Sequence, residues 1–156
     1  MAMTPVTLTA DKKIPKLSDV KYLEVPMPAS TTIYMGTVVG VTMSTGYAVK
    51  LADAVGNAAT AIILGIADEQ KTSVAAGATK IRVATCGIFR LAMDAGATMA
   101  LTMLGGKMVA AGDGNITTAT LATNDNPVGM VVGVPDVSVY EVDVYIEPGA
   151  NQGNTT

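Results

Sequence analysis

The stretch Lys80-Ile81-Arg82-Val83-Ala84-Thr85-Cys86-Gly87-Ile88-Phe89-Arg90-Leu91 gives the clearest indication of the fold. Ile81, Val83 and Thr85 lie in one row with residues 89 and 91, and the intervening residues, including both arginines, lie in the other. Because successive side chains of a strand point to opposite faces of a sheet, this alternation predicts a β-strand over Lys80–Leu91. Gly87 interrupts the first row and indicates a bulge.

Other short segments carry similar strand signals, and strong helix signals are absent. The predicted strands are Val6–Thr9, Tyr22–Val25, Ile33–Val41, Tyr47–Leu51, Ile62–Ala67 and Val137–Ile146. The best helix candidates, Leu51–Ala61 and Leu91–Met103, are rich in alanine but interrupted by glycine. The expected fold class is therefore mainly β, with short strands forming a small β-barrel or sandwich.

The first 30 residues differ from the remainder of the chain. They contain four of the seven prolines and half of the eight lysines. Since proline lacks a backbone N–H and keeps its predecessor extended, residues 1–30 are predicted to form an extended N-terminal arm. Residues 31–148 then form the β-barrel domain. Residues 149–156 contain no apolar anchor and are predicted to be a flexible tail.

The second half of the chain echoes the first. Thr37–Met43 aligns with Ala97–Met103 at a shift of 60 residues, and Leu64–Asp68 resembles Val132–Asp136. Similarity of this kind can also arise by chance in segments rich in Val, Gly and Thr. With either origin, we expect two hairpin-based halves that fold together.

The composition excludes several classes of function. Charged residues make up 15% of the chain, against roughly 25% in ordinary globular domains, while hydrophobic residues make up 49%. The uncharged apolar stretch 54–67 is shorter than the roughly 20 apolar residues that a membrane-spanning helix requires. No secretion signal opens the chain, and a net charge of −3 argues against nucleic acid. An apolar, weakly charged chain instead suits a subunit of an assembly.

Residues for catalysis or metal binding are scarce. The chain has no histidine and one cysteine, Cys86, which is expected to be a small buried residue. Its carboxylates are scattered singly, except for Asp68 and Glu69, which are interpreted as solvated loop charges. The prediction is a protein that is not an enzyme, with no catalytic residues, no cofactor and no metal. A carrier domain modified on Lys107, within a predicted turn, is the enzymatic alternative.

Several segments together resemble the capsid cement, or decoration, proteins of bacteriophages. These segments are Ile33–Val41, Gly46–Val49, Ile63–Glu69, Lys80–Arg90 and Pro127–Val134, and their order and spacing match over residues 30–147. The resemblance implies a β-barrel of the β-tulip type preceded by an extended arm. It also implies a homotrimer, made in the host cytoplasm, that binds the outer surface of the virion capsid and clamps neighbouring major capsid proteins.

The expected contact residues follow from this hypothesis, because an extended arm can add as a strand to a neighbour's sheet edge. The predicted capsid-binding arm residues are Thr4, Val6, Leu8, Lys12, Lys13, Ile14, Lys16, Tyr22, Leu23 and Val25. Met35, Met99, Met103 and Met130 are candidates for a subunit interface, since Met suits adaptable contacts. The alternative structural function is a head-fibre or adhesin module that binds a receptor or glycan.

Overall fold

The computed structural model describes residues 8–51, 61–93, 99–110, 115–117 and 127–149, and within these ranges the fold is mainly β. The first seven strands are β1 (Lys21–Pro26), β2 (Thr31–Ile33), β3 (Val38–Thr42), β4 (Ala48–Lys50), β5 (Ala61–Ala67), β6 (Lys71–Ser73) and β7 (Lys80–Thr85). The last five are β8 (Gly87–Met93), β9 (Lys107–Ala110), β10 (Asn115–Thr117), β11 (Pro127–Gly133) and β12 (Glu141–Ile146). The expected β class is confirmed.

The N-terminal sheet contains five antiparallel strands in the order β1-β7-β5-β3-β4. The middle strand, β5, is apolar on both faces, as a strand is when each of its faces is covered. Ile66 and Ala84 belong to one core cluster, whereas Ala67 and Val83 belong to a second cluster on the other side. Strands β2 and β6, which are distant in the sequence, form a separate antiparallel pair.

The C-terminal sheet pairs in the order β8-β12-β11-β9, and all three pairings are antiparallel. The short strand β10 pairs with β9 and also, in parallel over two residues, with β8. Phe89 and Val144 are cross-strand partners and are fully buried, whereas their neighbours Arg90 and Asp143 lie on the outer face. This sheet therefore alternates between a buried inner face and an outer face.

The chain passes from one sheet to the other at Cys86, and the predicted single strand Lys80–Leu91 is wrong in this respect. Cys86 has a φ of 54°, an uncommon value for a residue other than glycine, so pairing stops at Thr85 and resumes at Gly87. Gly87 itself has no room for a side chain, because a Cβ atom would lie 2.6 Å from Cγ1 of Val20. The interruption predicted at Gly87 therefore falls one residue earlier.

Other predicted elements are corrected by the structure. Ile33–Val41 is not one strand, because the chain turns at Gly36, where φ is 92°, before β3 begins. Residues 137–140 form a turn that precedes β12. In the second helix candidate, Leu91–Met93 completes β8 and Leu101–Met103 forms a single 3-10 turn, so the described part contains no α-helix. Leu8 and Thr9 are not in a strand.

The two predicted halves correspond to the two sheets, but they are not strand-by-strand copies. Residues 21–85 supply every strand of the N-terminal sheet, and residues 87–146 supply every described strand of the C-terminal sheet. The 60-residue alignment holds only in part, since the same shift places β4 on β9 but places the end of β3 on the 3-10 turn Leu101–Met103. Most of the candidate helix Leu51–Ala61 and all of the tail after 149 lie outside the described residues.

Candidate interaction surfaces

The segment from Asp11 to Leu17 lies against the body of the protein. The Lys12 amide donates to the Met35 carbonyl oxygen at 2.9 Å, and the Met35 amide donates to Asp11 Oδ1 at 2.9 Å. Gly36 permits this approach, because a Cβ atom there would overlap the Lys12 carbonyl oxygen. Two predicted arm residues, Thr4 and Val6, precede the described ranges.

The next residues extend the C-terminal sheet along β8. Lys16 forms a β-bridge with Phe89, and the Leu17 amide donates to the Ile88 carbonyl oxygen at 2.8 Å. Ile14 is buried in the core cluster between the sheets. This part of the predicted arm therefore packs on its own chain, and Ile14 contributes to folding as a core residue.

A network of charged side chains holds the segment from Asp11 to Leu17, called the docked segment below, to the N-terminal sheet. Lys16 and Arg82 both bind the carboxylate of Asp68, with 3.1 Å between Arg82 Nε and Asp68 Oδ2. Both cations also lie over the Tyr22 ring, at 5.8 and 5.6 Å from its centroid. Glu69 accepts from the Arg82 amide at 3.0 Å. Asp68 is thus a structural ion-pair partner, and its interpretation as a solvated loop charge is wrong. Glu69 stays partly exposed and lies 3.7 Å from Lys71 Nζ.

A cleft of about 320 Å³ lies beneath the docked segment. Its lining is mostly apolar and is formed by Lys13, Ile14, Lys16, Met35, Ile66, Ala67, Asp68, Ala84 and Phe89. The one carboxylate in this lining, that of Asp68, is already bound by two cations. The cleft therefore offers apolar volume without a set of convergent polar groups of the kind that orient a small ligand.

Strand β1 is the edge of the N-terminal sheet. Within the described ranges it pairs with β7 alone, in the register Leu23 to Val83. Tyr22 and Leu23 are exposed, whereas Val25 is buried in the second core cluster. An edge strand with exposed apolar side chains is a template for pairing with another chain.

An apolar row crosses the outer face of the C-terminal sheet. Tyr145 is the cross-strand partner of both Ile88 and Met130, and Met130 is also paired with Lys107. The backbone bond from Leu17 to Ile88 brings a further exposed apolar side chain to the end of this row. The row crosses the neighbouring strands β8, β12 and β11, and it ends at the charged residue Lys107 on β9.

A second apolar surface lies at the end of the C-terminal sheet where β8 and β11 finish. We call it the apolar end surface, and its members are Leu101, Leu104, Val132, Val137, Val139 and Tyr140. The surface is formed by two turns, residues 101–106 and residues 137–140, together with Val132. Gly105 and Gly106 join the first turn to Val131 through two backbone hydrogen bonds of 2.9 Å. The Met93 amide donates to the Tyr140 carbonyl oxygen at 2.7 Å and fixes the second turn to β8.

The four methionines predicted for a subunit interface occupy different environments. Met103 is buried in the core, Met99 packs partly buried against it, and Met35 lines the cleft. Met130 alone of the four is exposed, on the outer apolar row. The exposed residues of the apolar end surface were missed, because in the sequence their turns resemble strand and helix segments.

Cys86 and Lys107, the two reactive side chains singled out in the sequence, lie in different elements of the fold. No group of three Cys, Asp or Glu side chains among them is placed to hold a metal ion. Cys86 is a half-buried free thiol at the kink between the sheets. Lys107 is the exposed first residue of β9 and not the tip of a turn. Across the described ranges, no helix has the length and apolarity needed to span a bilayer.

No family model and no curated protein matches this chain.

Proposed function

We propose that this chain is a structural cement protein that binds the outer surface of an assembled bacteriophage head. The observation that carries the proposal is the edge strand β1, which presents Tyr22 and Leu23 beside a mainly β body. The sequence resemblance over residues 30–147 supports the same function. In this proposal the C-terminal sheet, with β10 pairing to both β8 and β9, serves as the wall of a small β-barrel.

The mechanism depends on contact area and hydrogen bonds, without bond-making chemistry. An extended segment of the major capsid protein pairs with the open edge of β1, and Tyr22 and Leu23 pack against its side chains. Residues before Asp11 serve as the arm that reaches a neighbouring capsid subunit. Copies of the chain act together as a homotrimer, so that each further contact becomes intramolecular once the first has formed.

Binding of this kind stabilises the head by mass action. A protein that binds the assembled shell and not the free capsid subunit adds its binding free energy to the stability of the shell. We therefore expect decorated heads to resist heating and osmotic shock better than undecorated heads. Free capsid subunits should not bind appreciably.

Co-sedimentation with purified expanded heads of the phage that encodes the chain tests the proposal. The wild-type protein should bind saturably, and the Tyr22→Glu/Leu23→Glu variant should bind at least about tenfold more weakly, because it places two charges at the contact. A variant lacking residues 2–10 separates the role of the arm from that of β1, since it keeps Asp11 and the docked segment. Val74→Glu is the matched control, because Val74 is 84% exposed in the turn after β6.

The outcomes discriminate between the candidate functions. Failure of the wild-type protein to bind heads, or equal binding to free capsid subunits, contradicts the cement function. Binding to a glycan array in the absence of head binding would instead support a fibre or adhesin module. An unchanged affinity of the Tyr22→Glu/Leu23→Glu variant would exclude β1 as the contact while leaving the cement function in place.

A further inference from the structure

Strand β1 carries two exposed charges, those of Lys21 and Glu24, that form no ion pair with any other described residue. The ion pairs formed among the described residues join Lys16 and Arg82 to Asp68, Lys71 to Glu69, and Arg90 to Asp143. Both charges of β1 therefore remain available to a neighbouring chain at this edge of the N-terminal sheet.

The two charges lie on opposite faces of β1. Their positions are three residues apart, and successive side chains of a strand alternate between the faces of its sheet. Glu24 shares one face with Tyr22, which is 51% exposed, and Lys21 shares the other face with Leu23, which is 37% exposed. Each face of the edge strand therefore presents one charge beside one accessible apolar or aromatic side chain.

Arg82 leaves Glu24 unpaired, although the two residues are cross-strand partners in β7 and β1. The Arg82 guanidinium binds Asp68, with 3.1 Å between Arg82 Nε and Asp68 Oδ2, and it lies over the Tyr22 ring at 5.6 Å from the centroid. Because this cation is already bound, the Glu24 carboxylate can accept a cation that approaches from the open edge.

The two charges make the edge selective. An exposed edge strand is a template for many extended segments, and charged side chains on it disfavour the segments that do not complement them. Directly opposed side chains of neighbouring antiparallel strands lie about 5 Å apart, where opposite charges attract and like charges repel. A strand that pairs with β1 is therefore favoured when it places a carboxylate opposite Lys21 and a cation opposite Glu24. Between them it needs two apolar residues, opposite Tyr22 and Leu23.

The sheet also indicates the direction of such a strand. The four pairings between the described strands of the N-terminal sheet are all antiparallel, and antiparallel pairs are slightly more stable per residue than parallel ones. A partner that continues this pattern runs antiparallel to β1. Read from its amino end, it carries a basic residue, two apolar residues and an acidic residue.

We propose that the open edge of β1 selects an extended segment of another protein with the order basic, apolar, apolar, acidic. The inference rests on the proposed function, in which a segment of the capsid protein pairs with β1, and it specifies the charge pattern of that segment. The reverse order would place like charges opposite both Lys21 and Glu24. Strand β1 therefore discriminates between segments of equal apolar content by the order of their two charges.

Titration of the isotope-labelled full chain with three synthetic peptides, followed by NMR of the β1 amides, tests the inference. The peptides have blocked ends, threonine flanks and the centres Lys-Val-Val-Glu, Glu-Val-Val-Lys and Gln-Val-Val-Gln. The first should bind about tenfold more tightly than the second, because both cross-strand charge pairs change from attraction to repulsion, and the third should lie between them. High salt should reduce the difference, since screening weakens exposed charge pairs.

Exchanging the two charges of the protein provides a matched test. Lys21→Glu/Glu24→Lys keeps the net charge and should bind the second peptide more tightly than the first. Lys107→Glu/Glu147→Lys is the control, because it exchanges two exposed charges in the C-terminal half of the chain. This control should keep the wild-type preference.

Three results would overturn the inference. One is a wild-type chain that binds the first two peptides equally or prefers the second. Another is a Lys21→Glu/Glu24→Lys variant that keeps the wild-type circular dichroism, thermal midpoint and peptide preference. The third is the absence of shifts at the β1 amides with all three peptides at millimolar concentration. None of these measurements uses heads, so the protein can fail to bind heads while β1 shows the preference, or bind heads through another surface while β1 shows none.

Discussion

The two sheets of this protein use an apolar sequence in different ways. The N-terminal sheet contributes to a core cluster on each of its faces, and the charges beside it are joined in the network around Asp68. The C-terminal sheet buries one face only, and its outer row and end turns leave apolar side chains exposed. The N-terminal sheet is therefore the one that is packed on both faces, and the C-terminal half of the chain supplies most of the exposed apolar side chains of the described residues.

This difference separates stability from interaction. Substitutions in the inner strands β3 and β5 of the N-terminal sheet should act mainly on folding, because most of their side chains are packed, whereas the edge strand β1 carries the proposed contact. In the C-terminal sheet the effect should depend on the face, since the inner row supports the core and the outer row contacts solvent. Substitutions at neighbouring positions on opposite faces of one strand therefore test this difference.

The largest effect is expected at Phe89, on the inner face of β8. Phe89 is fully buried between the two sheets, so Phe89→Ala should lower the free energy of unfolding by about 3–5 kcal/mol. Ile88→Ala, one residue away on the outer face, is the matched control and should cost less than about 1.5 kcal/mol. Denaturant unfolding monitored by circular dichroism measures both losses, and equal losses would contradict the assignment of the two faces.

A somewhat smaller effect is expected at Gly65, in the centre of β5. A Cβ atom at this position would overlap the carbonyl oxygen of Ala84 on the neighbouring strand, so Gly65→Ala must push β5 and β7 apart. We expect a loss of about 1–3 kcal/mol in the free energy of unfolding.

Gly133 is the control for Gly65, because the sequence alignment of the two halves places these glycines at equivalent positions. A Cβ atom at Gly133 would lie 2.9 Å from Asp143 Oδ2, a side-chain atom, whereas at Gly65 it would meet a backbone carbonyl oxygen at 2.0 Å. Gly133→Ala should therefore cost clearly less than Gly65→Ala. Equal costs would indicate that the two halves are closer structural copies than their strands suggest.

Much of the β architecture could be predicted from short strand-like segments. Tyr22–Val25 and Ile62–Ala67 lie within strands β1 and β5. The kink at Cys86 could not be predicted, because a residue other than glycine rarely has a positive φ. The neighbouring Gly87 is needed for a different reason, which is the close approach of Val20. Local signals report propensity, whereas this kink is imposed by the junction of two sheets.

The interaction surfaces were harder to predict than the strands. Tyr22 and Leu23 were expected to be contact residues and are exposed, but Ile14 and Val25 were expected there too and are buried. The sequence contained one unused signal for the network, since Arg82 alternates with buried residues of β7 and so had to lie on an accessible position. Its pairing with Asp68 depends on the adjacency of β5 and β7, which no local pattern reports.

The charge network of the N-terminal half can be tested through the docked segment. Asp68→Asn weakens the contacts with Lys16 and Arg82, so the segment should open more often. The Leu17 amide, bonded to the Ile88 carbonyl oxygen, should then exchange its hydrogen about fivefold faster, a change of about 1 kcal/mol in the opening free energy.

Glu147→Gln is the control for this experiment, because it changes net charge equally at an exposed position after β12. Exchange at Leu17 should stay at the wild-type rate in this variant. High salt should reduce the difference between Asp68→Asn and the wild type, since screening weakens the same ion pairs. Equal exchange in both variants would mean that backbone pairing alone holds the segment.

The smallest effect is expected at Asp136, the isolated charge of the C-terminal turns. Its hydrogen bonds with Ser138 lower its pKa in the folded protein relative to the unfolded chain. A group with a depressed folded pKa stabilises the protein above its unfolded pKa, near 3.8, and loses that contribution as the pH falls through the folded pKa. Asp136→Ala should therefore lower the thermal midpoint at pH 7 slightly, and lower it less at pH 2.5.

Ser138→Ala refines this last prediction, because it removes the hydroxyl donor and keeps the backbone donor of the same turn. The backbone bond is the larger cause of the lowered pKa, so Ser138→Ala should reproduce less than half of the pH-dependent change seen with Asp136→Ala. Differential scanning calorimetry at the two pH values measures both variants. A midpoint difference from the wild type that is equal at pH 7 and pH 2.5 would show that Asp136 acts through turn packing and not through its charge.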